Sequence, residues 1–553
     1  MKVAPSLNPA GGERERRPRR KRRFGLFSTG HEQTFLWEET MNRFFKKVFL
    51  SFAAILLLIP GCSSNDNSST GSPSAAVEAY VQKITDDLTS RGFDVMRGYF
   101  KLYTQDDCSY SYEKMKSCFG NNPAAPYVLP VVPLWPDEFA DPATHWVFGP
   151  TKVGQEATYR FDPREAVVII GFLPPPAAYM GMQTYLFTRE GTFDTTSATY
   201  QFIANNFPGF LDFLFSTVPE NPDRLLMLAS LSNNNNNVVI ERQSGRAFGQ
   251  LRFFIITPDQ DMDDAVRESL GNISVDSEDI FTEPIPSTMR TGLDEHADDF
   301  LTVMRYAMPE NDVDAESWRK NLPMVALRVR DTRSGRAAVP YPPVVIETRT
   351  AEPEAGLEND LTDLVVEINR TWGQPCSESD CSDRSFTFID MQRPPVNLVG
   401  PECTEIGMNC LGDTQDTTYQ ATFNLGLDDG EVYAVAGTLG TETGNAVYVG
   451  LSVNESTMLE GIENIEDRVL RNTASRYAGT VNNTDKLYVY YVTRDCSGLD
   501  DLTDGNCFSV SEDVIPVSDF FKLIQRLYIH RGTQRGPDSM LILPPRLIML
   551  KRN

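Results

Sequence analysis

EAVVIIGF at Glu165–Phe172 and EVYAVAGT at Glu431–Thr438 share one pattern, in which Glu precedes an apolar run that contains Gly near its end. After a short turn, each is followed by Ala-x-Tyr-x-Gly-x, at Ala177–Met182 and Ala446–Leu451. Apolar runs of this length, bounded by turn residues, are typical of buried strands. The sequence therefore predicts two related domains, each built around this pair of strands.

Other segments fit the same repeat. A cysteine follows the first helical pattern of each copy, Cys108 and Cys376, and Arg252–Thr257 resembles Arg526–Arg531. On this alignment the first copy carries an extension over Pro258–Glu347. The alternative is chance, because strand pairs rich in Ala, Tyr and Gly resemble one another.

The remaining patterns predict an α+β fold of mostly antiparallel strands with flanking helices, because most connections between strands are short. Helices are predicted at Phe202–Phe215, with a break at Pro208, and at Glu295–Met308. Strands are predicted at Val238–Arg242 and Pro343–Thr348.

An acidic segment that contains Pro and Gly, residues 350–359, is the predicted linker. It separates a first α+β domain at residues 74–349 from a second at residues 360–553, the possible duplicate of the first. Residues 63–73 form a polar tether. The fold is predicted to begin at Ser74, as the cap of a helix.

Residues 41–62 read MNRFFKKVFLSFAAILLLIPGC. The basic residues Arg43, Lys46 and Lys47 precede an apolar run, Val48–Ile59. A helix of that length spans about 18 Å, well short of the ~30 Å hydrocarbon core of a bilayer. A secretory signal peptide is therefore favoured over a membrane span.

The run ends in Ile59-Pro60-Gly61-Cys62, which resembles the lipobox of bacterial lipoproteins, although Pro60 departs from the usual motif. The resemblance implies cleavage before Cys62, attachment of acyl chains such as palmitate to Cys62, and, with Ser63 next, sorting to the outer membrane. Several acyl chains hold a membrane stably, because each buried methylene contributes roughly 0.8 kcal/mol. An ordinary secretory signal with a chance cysteine is the alternative.

Residues 1–40 precede this signal and contain the basic run ERERRPRRKRRF at Glu13–Phe24. Basic runs are typical of nucleic-acid arms, but export would separate this one from nucleic acid. We interpret Met41 as the true start and residues 1–40 as an upstream extension. A long n-region of the signal is the alternative.

The charge of the exported part disfavours nucleic acid as a partner. Residues 63–553 carry 39 Lys and Arg against 71 Asp and Glu, and an acidic body of this kind repels phosphate backbones and anionic membrane surfaces. Membrane attachment is expected only through Cys62. The sequence leaves open which protein or small molecule is bound.

Eight cysteines follow Cys62 in four close pairs, Cys108/Cys118, Cys376/Cys381, Cys403/Cys410 and Cys496/Cys507. Close spacing and an oxidising envelope favour four local disulfides. Each is expected mainly to make a surface loop more rigid. Zinc is the weaker alternative, because no pair has C-x2-C spacing and residues 63–553 contain three His. We expect no cofactor.

The sequence contains few candidates for catalysis. Ser111–Lys114 fits S-x-x-K of the penicillin-binding proteins but has no K-T-G partner. The densest titratable group is Asp294–Asp299, in which His296 and Asp299 would share one helix face at i, i+3 spacing. A capped helix start with a surface histidine is the simpler interpretation.

One cysteine loop carries candidate calcium ligands. Asp500, Asp501 and Asp504 lie between Cys496 and Cys507, and carboxylates on a constrained loop can hold Ca²⁺. A solvated acidic loop is the simpler interpretation.

These observations favour a non-enzymatic lipoprotein with a binding or scaffolding role in the envelope, although catalysis stays open. The alternatives are an envelope hydrolase with a site between the domains, and a carrier whose apolar pocket is lined by aromatic side chains. The same aromatic pattern is typical of a core. The globular part otherwise resembles only uncharacterised secreted proteins, which implies no activity. The aromatic set is Tyr179, Met182, Tyr185, Phe187, Phe202, Phe207, Phe210 and Phe213.

Overall fold

A computed structural model describes residues 72–552, apart from residues 334 and 395 and the side chain of residue 382. These residues belong to one unit, residues 71–553. The upstream extension at residues 1–40, the signal peptide with Cys62, and nearly all of the tether lie outside the described residues. Within the described part, no helix is long and apolar enough to cross a membrane.

The first half, residues 72–349, contains the longer strands. Its strands are β1 (Asp94–Arg97), β2 (Tyr99–Leu102), β3 (Val128–Pro133), β4 (Gln155–Glu156), β5 (Thr158–Tyr159), β6 (Glu165–Phe172), β7 (Ala177–Glu190), β8 (Thr217–Val218), β9 (Asn221–Ser230), β10 (Asn235–Asn236), β11 (Leu251–Thr257), β12 (Ile280–Pro284), β13 (Asp299–Pro309) and β14 (Met324–Arg330). Its helices are α1 (Pro73–Ser90), α2 (Gln105–Met115), α3 (Ala198–Asn206), α4 (Leu211–Leu214), α5 (Asn237–Ser244), α6 (Gln260–Asn272) and α7 (Asp312–Asn321).

The second half, residues 350–552, has shorter elements. Its strands are β15 (Ser385–Thr387), β16 (Ile389–Asp390), β17 (Thr417–Ala421), β18 (Glu431–Thr438), β19 (Tyr448–Glu455), β20 (Gly461–Glu466), β21 (Leu487–Thr493), β22 (Cys507–Ser509), β23 (Phe521–Tyr528) and β24 (Arg546–Lys551). Its helices are α8 (Glu358–Thr371), α9 (Glu378–Arg384), α10 (Gly400–Ile406), α11 (Gly440–Thr443), α12 (Asp467–Leu470) and α13 (Asp500–Thr503).

The strands form two sheets in each half, so the α+β prediction with mostly antiparallel strands is confirmed. Sheet I has the order β1-β14-β6-β11-β12, and sheet III has the order β15-β24-β18-β21-β22. In each, only the final pair, β11–β12 or β21–β22, is parallel. Sheet II runs β2-β3-β13-β7-β9-β8, with β4, β5 and β10 beside it, and sheet IV runs β16-β17-β23-β19-β20.

The two halves therefore repeat one strand order, with β6 and β18 central in sheets I and III. The segment after each of these strands carries the chain into the second sheet, where β7 and β19 are equivalent. This repetition supports a duplicated domain, and the predicted bounds of 74–349, 350–359 and 360–553 stay a proposal.

Each half consists of a helix layer and two stacked sheets. In the first half α1 and α6 cover one face of sheet I, and sheet II packs on the other face. In the second half α8 covers sheet III, and sheet IV packs on its other face. The central strands are apolar on both faces because both faces are buried. In β6, Val168 faces the helices and Ile169 faces sheet II.

Three predicted elements were wrong. Glu295–Met308 was predicted as a helix but falls largely in β13. Both faces of this strand are buried, so its apolar residues fit the repeat of a helix as well as that of a strand. Val238–Arg242 lies in α5, which Asn236 caps by accepting from the Val239 amide at 3.2 Å. Pro343–Thr348 contains no regular strand.

Other boundaries also differ from the predictions. The first helix starts at Pro73 and is capped by Ser72 rather than Ser74. Residues 258–347 are not an extension, because β12, β13 and β14 have counterparts in β22, β23 and β24. The Phe202–Phe215 prediction is correct in outline, since α3 and α4 flank a single turn at Pro208–Phe210.

All eight cysteines after Cys62 form the predicted local disulfides. Two of them tie a helix to the loop that follows it. Cys108–Cys118 joins α2 to crossing loop A, residues 116–125, and Cys403–Cys410 joins α10 to crossing loop B, residues 407–416. These helices occupy the same place in the strand order, between β2 and β3 or between β16 and β17, so the counterpart of Cys108 is Cys403, not Cys376.

The expected location of the disulfides in surface loops was wrong for Cys381. This residue lies in α9, is 1% exposed and belongs to the core beneath α8, whereas its partner Cys376 is only partly buried against that core. The reason is that α9 packs against α8, so the Cys376–Cys381 bond holds the end of the helix layer on sheet III. The two sulfurs act there as apolar core atoms.

The other disulfides differ in their burial. Cys118, Cys403 and Cys410 are fully buried and Cys108 is 5% exposed, so the bonds at both crossing loops also belong to the interior. Cys496 and Cys507 are partly buried, and their bond is closest to the predicted surface location. Spacing predicted the pairing correctly, but burial depends on which helices cover each loop.

The crossing loops dock reciprocally on the two halves. The Gly120 amide donates to the Leu459 carbonyl beside β20 at 2.8 Å, and the Gly412 amide donates to the Leu228 carbonyl in β9 at 2.9 Å. β9 and β20 are equivalent strands. Both glycines have positive φ, 57° and 70°, a conformation that favours glycine.

We expect Gly400→Ala to loosen this docking. An added Cβ at Gly400 would lie 2.0 Å from the backbone oxygen of Ser230, which cannot move without displacing β9. The free energy of unfolding should fall by about 3 kcal/mol, measured by urea denaturation. Gly479→Ala is the control, because its Cβ would meet nothing within 4 Å. Equal stability of the two variants would contradict the close approach.

Candidate functional site

A cavity of about 430 Å³ lies between the first half and sheet IV of the second. This volume falls within the range of small-molecule sites, roughly 300–1,000 Å³. Its walls are mostly apolar and come from both halves. Representative lining residues are Phe207, Phe210, Leu228, Phe423 and Ile524.

Strand β23 forms one wall of the cavity. Because alternate side chains of a strand point to opposite faces, the same strand also contributes to a core. One face of β23 contributes Phe521, Leu523 and Leu527 to the core between sheets III and IV. The opposite face lines the cavity with Lys522, Ile524, Arg526 and Tyr528.

A Phe-rich segment forms the opposite wall, and it has no counterpart in the described part of the second half. The chain between β7 and β9 holds α3 and α4, whereas only residues 456–460 join β19 to β20. The ring centroids of Phe207 and Phe210 lie 5.3 and 5.8 Å from the ring centroid of Phe423. The segment thus closes the cavity over a sheet face that the second half leaves uncovered.

Four charged side chains line the cavity, Arg305, Asp413, Lys522 and Arg526. Asp413 belongs to crossing loop B and accepts from the backbone amides of Ser230 and Gly400, both at 2.9 Å. Burial raises the pKa of Asp413 to about 6. Its oxygens bind the two halves together.

Arg305 in β13 and Arg526 in β23 are equivalent residues, opposite Gly181 and Gly450 in their sheets. They are 5% and 3% exposed. Each donates to the glycine carbonyl of a crossing loop, Arg526 to Gly120 at 2.8 Å and Arg305 to Gly412 at 3.4 Å.

The other hydrogen-bond partners of these arginines are also uncharged. Arg305 donates to the Tyr185 hydroxyl at 2.7 Å, and Arg526 donates to the Ser452 hydroxyl. Neither arginine forms an ion pair with a carboxylate among the described residues. Two nearly buried guanidinium groups therefore lie at the cavity without a neutralising partner in direct contact.

Lys522 is a third cation on the cavity wall. Its Nζ donates to Asn424 Oδ1 at 2.5 Å and lies 4.6 Å from the centroid of the Phe210 ring. Burial lowers the pKa of Lys522 to about 8, because an ammonium loses hydration in these surroundings.

The predicted catalytic pair is not assembled. His296 lies in a loop, and its side chain is 69% exposed with Nδ1 2.6 Å from Glu190 Oε2. Asp299 begins β13, where it accepts from the Thr188 hydroxyl at 2.6 Å and lies 3.3 Å from Arg160. The shared helix face does not form, because this segment is a strand.

The predicted calcium ligands do not converge either. Asp500 and Asp501 start α13, and Asp504 pairs with Arg476 at 3.2 Å. In the described residues, no group of three or more His, Cys, Asp or Glu side chains could hold a metal ion.

The S-x-x-K motif has structural partners. The Ser111 hydroxyl is buried and donates to the Val147 carbonyl at 2.6 Å, and Lys114 pairs with Glu220 at 2.8 Å.

The aromatic set divides between two locations. Phe202, Phe207, Phe210 and Phe213 line the cavity. Tyr179, Met182, Tyr185 and Phe187 are buried in the cores of the first half and of the junction between the halves.

The sequence prediction missed the charged cavity residues, although one signal pointed to them. Cys118-Phe119-Gly120 and Cys410-Leu411-Gly412 repeat a Cys-x-Gly pattern. Aligning these tripeptides, instead of Cys108 with Cys376, makes the two crossing loops equivalent. The strand register makes the arginines that bind those loops equivalent as well, opposite Gly181 and Gly450, so Arg526 matches Arg305 rather than Arg252.

No protein-family model matches the chain, and no curated protein matches it. Among solved structures, it is similar to an uncharacterized protein from Burkholderia cenocepacia, with 9% sequence identity and a TM-score of 0.35. The match covers 86% of this chain and 89% of that one. A likeness of this size gives no information about function, which therefore has to be inferred from the geometry of the cavity.

We expect Lys522→Met to stabilise the protein at pH 7 by about 2–3 kcal/mol, because one pKa unit corresponds to about 1.4 kcal/mol and the charged form is penalised by burial. Between pH 8 and 10.5 the folded wild type loses this proton before the unfolded chain does. The wild type should therefore gain stability with rising pH relative to the variant, until the difference disappears. Urea denaturation at several pH values measures it, with the exposed Lys320→Met as control. A difference that is independent of pH would contradict the lowered pKa.

Proposed function

We propose that this protein is a non-enzymatic binding protein that carries an apolar or amphipathic small molecule in the cavity between its halves. The observation that supports this proposal is the cavity of about 430 Å³ with its wall of phenylalanines. An apolar ligand would release water from these side chains, at roughly 25 cal/mol per Å² of apolar surface buried.

The construction of the cavity also supports a binding role. Its walls come from both halves, and the docking of crossing loops A and B holds those halves in place by backbone hydrogen bonds. A preformed site loses less conformational entropy on binding than one that must be assembled. Apolar walls with few polar groups are typical of small-molecule sites.

We also propose that the protein is an outer-membrane lipoprotein anchored through Cys62. The support is the lipobox-like sequence before Cys62 and the four disulfides, which are typical of proteins in oxidising compartments. A carrier with this anchor would bind its ligand close to a membrane.

Binding can be measured with N-phenyl-1-naphthylamine, a neutral apolar dye whose fluorescence rises in apolar surroundings. We expect the wild type to bind the dye and Ile524→Trp to bind it at least tenfold more weakly, because the larger side chain projects into the cavity and obstructs the space that the dye would occupy. Val514→Trp is the control, since Val514 is 48% exposed. Circular dichroism verifies the fold of each variant. Equal binding by all three proteins would refute the proposed site.

The anchor is tested by intact-mass spectrometry of the protein from a bacterial membrane fraction. We expect a mature chain that begins at Cys62 and carries acyl chains, and a Cys62→Ala variant that leaves the membrane fraction. An unlipidated chain with residues before Cys62 would contradict the lipid anchor.

A further inference from the structure

The charge of the cavity is opposite to that of the protein. The chain carries 76 acidic and 51 basic residues, yet the charged side chains on the cavity wall are three cations and one carboxylate. That carboxylate, Asp413, already accepts hydrogen bonds from Ser230 and Gly400. The cavity wall therefore has an excess of positive charge.

Other buried arginines of this protein show how such charges are normally compensated. Arg328 binds Glu165 and Glu138, and Arg160 lies 3.3 Å from Asp299. A buried charge without a partner is costly, because it has lost its hydration.

Arg494 shows the other way of satisfying a buried guanidinium. It also lacks a carboxylate in direct contact among the described residues, but its nitrogens donate to four backbone carbonyls, those of Leu427, Val510, Ile515 and Pro516. Arg305 and Arg526 each donate to two acceptors in the described part of the chain. A guanidinium has five N–H donors, so each has capacity for further acceptors.

Tyr419 adds a hydroxyl to the same part of the cavity wall. Burial raises the pKa of Tyr419 well above its usual value, while the nearby charges of Arg305 and Arg526 act in the opposite direction. The hydroxyl therefore stays protonated and can donate. No side-chain partner of this hydroxyl is present among the described residues.

We propose that Arg305, Arg526 and Tyr419 bind the anionic head group of a single-chain amphiphile, whose alkyl chain lies along the phenylalanine wall. Guanidinium groups bind carboxylate or phosphate oxygens by charge-assisted, often bidentate hydrogen bonds. This inference rests on the proposed function, and it specifies the chemistry of the ligand.

The positions of the side chains along β23 indicate the direction in which the alkyl chain of the ligand would extend. Lys522 and Arg526 lie on the same face of the strand, four residues apart, or about 13 Å. Lys522 lies over the Phe210 ring, in the aromatic part of the cavity. An alkyl chain that starts at the arginines would extend along Ile524 toward these rings.

The experiment compares dodecanoate, dodecyl phosphate and dodecanol as competitors of N-phenyl-1-naphthylamine, with the two anions below their critical micelle concentrations and dodecanol below its solubility limit. The three share one alkyl chain and differ in the head group. We expect the wild type to bind at least one of the two anions ten times or more tightly than dodecanol. The preferred anion identifies carboxylate or phosphate as the head group.

Arg526→Met tests the head-group site directly. It should reduce the ratio of anion affinity to dodecanol affinity at least tenfold. Tyr419→Phe removes one hydroxyl and should reduce the preference for the anion about threefold. This variant still tests the site if Arg526→Met fails to fold. Arg370→Met is the control, because the Arg370 side chain is 60% exposed on α8.

The outcomes separate this inference from the proposed function. If dodecanol binds as tightly as both anions, the head-group site is refuted and the apolar cavity stands. If no competitor displaces the dye and Ile524→Trp still binds the dye, the proposed function fails as well. If the anions are preferred but both Arg526→Met and Tyr419→Phe keep that preference, the assignment to these residues is wrong.

Discussion

The reciprocal docking of crossing loops A and B is the interaction on which the rest of the structure depends. Each loop is tied to its own helix by a disulfide and donates backbone hydrogen bonds to the other half. The docking requires close approach. A side chain at Gly461 would lie 2.2 Å from the Asn121 carbonyl, just as one at Gly400 would meet Ser230. Because this packing holds the halves at one separation, it also sets the width of the cavity between them.

The repeated strand order makes the differences between the halves informative. Sheets II and IV present equivalent faces, but α2 and the loops around it cover sheet II with an apolar core. The corresponding face of sheet IV is covered by α3 and α4, which belong to the other half. A segment inserted in one copy thus converts a core position into a cavity. In this way a symmetric framework acquires an asymmetric cavity.

Electrostatics divide this molecule into an acidic exterior and a cationic cavity wall. That this surface repels polyanions such as nucleic acids stays a prediction from its net charge. A small anion with an apolar chain differs, because its charge can be neutralised in direct contact with Arg305 and Arg526 while its chain is desolvated. The same arginines also bind Gly412 and Gly120, so the proposed ligand contacts and the docking of the halves share these side chains.

The sequence by itself determined the elements whose pattern is local. The apolar runs of β6 and β18, the helix α1 and the pairing of the four disulfides follow from periodicity and from cysteine spacing. The aromatic residues of α3 and α4 were also identified, as one possible pocket or core. Such features depend on neighbours along the chain, and short-range physics specifies them.

Only the tertiary structure decided that Asp299–Pro309 is a strand, that Cys381 is buried, that Arg305 and Arg526 are equivalent, and that a cavity exists. β13 carries apolar residues on both faces because it is buried between layers, and a pattern of this kind fits a helix equally well. The two arginines line one cavity because crossing loops from opposite halves bring Gly412 to Arg305 and Gly120 to Arg526. A cavity is space left between elements that are distant in sequence, and such space depends on packing rather than on any local pattern of residues.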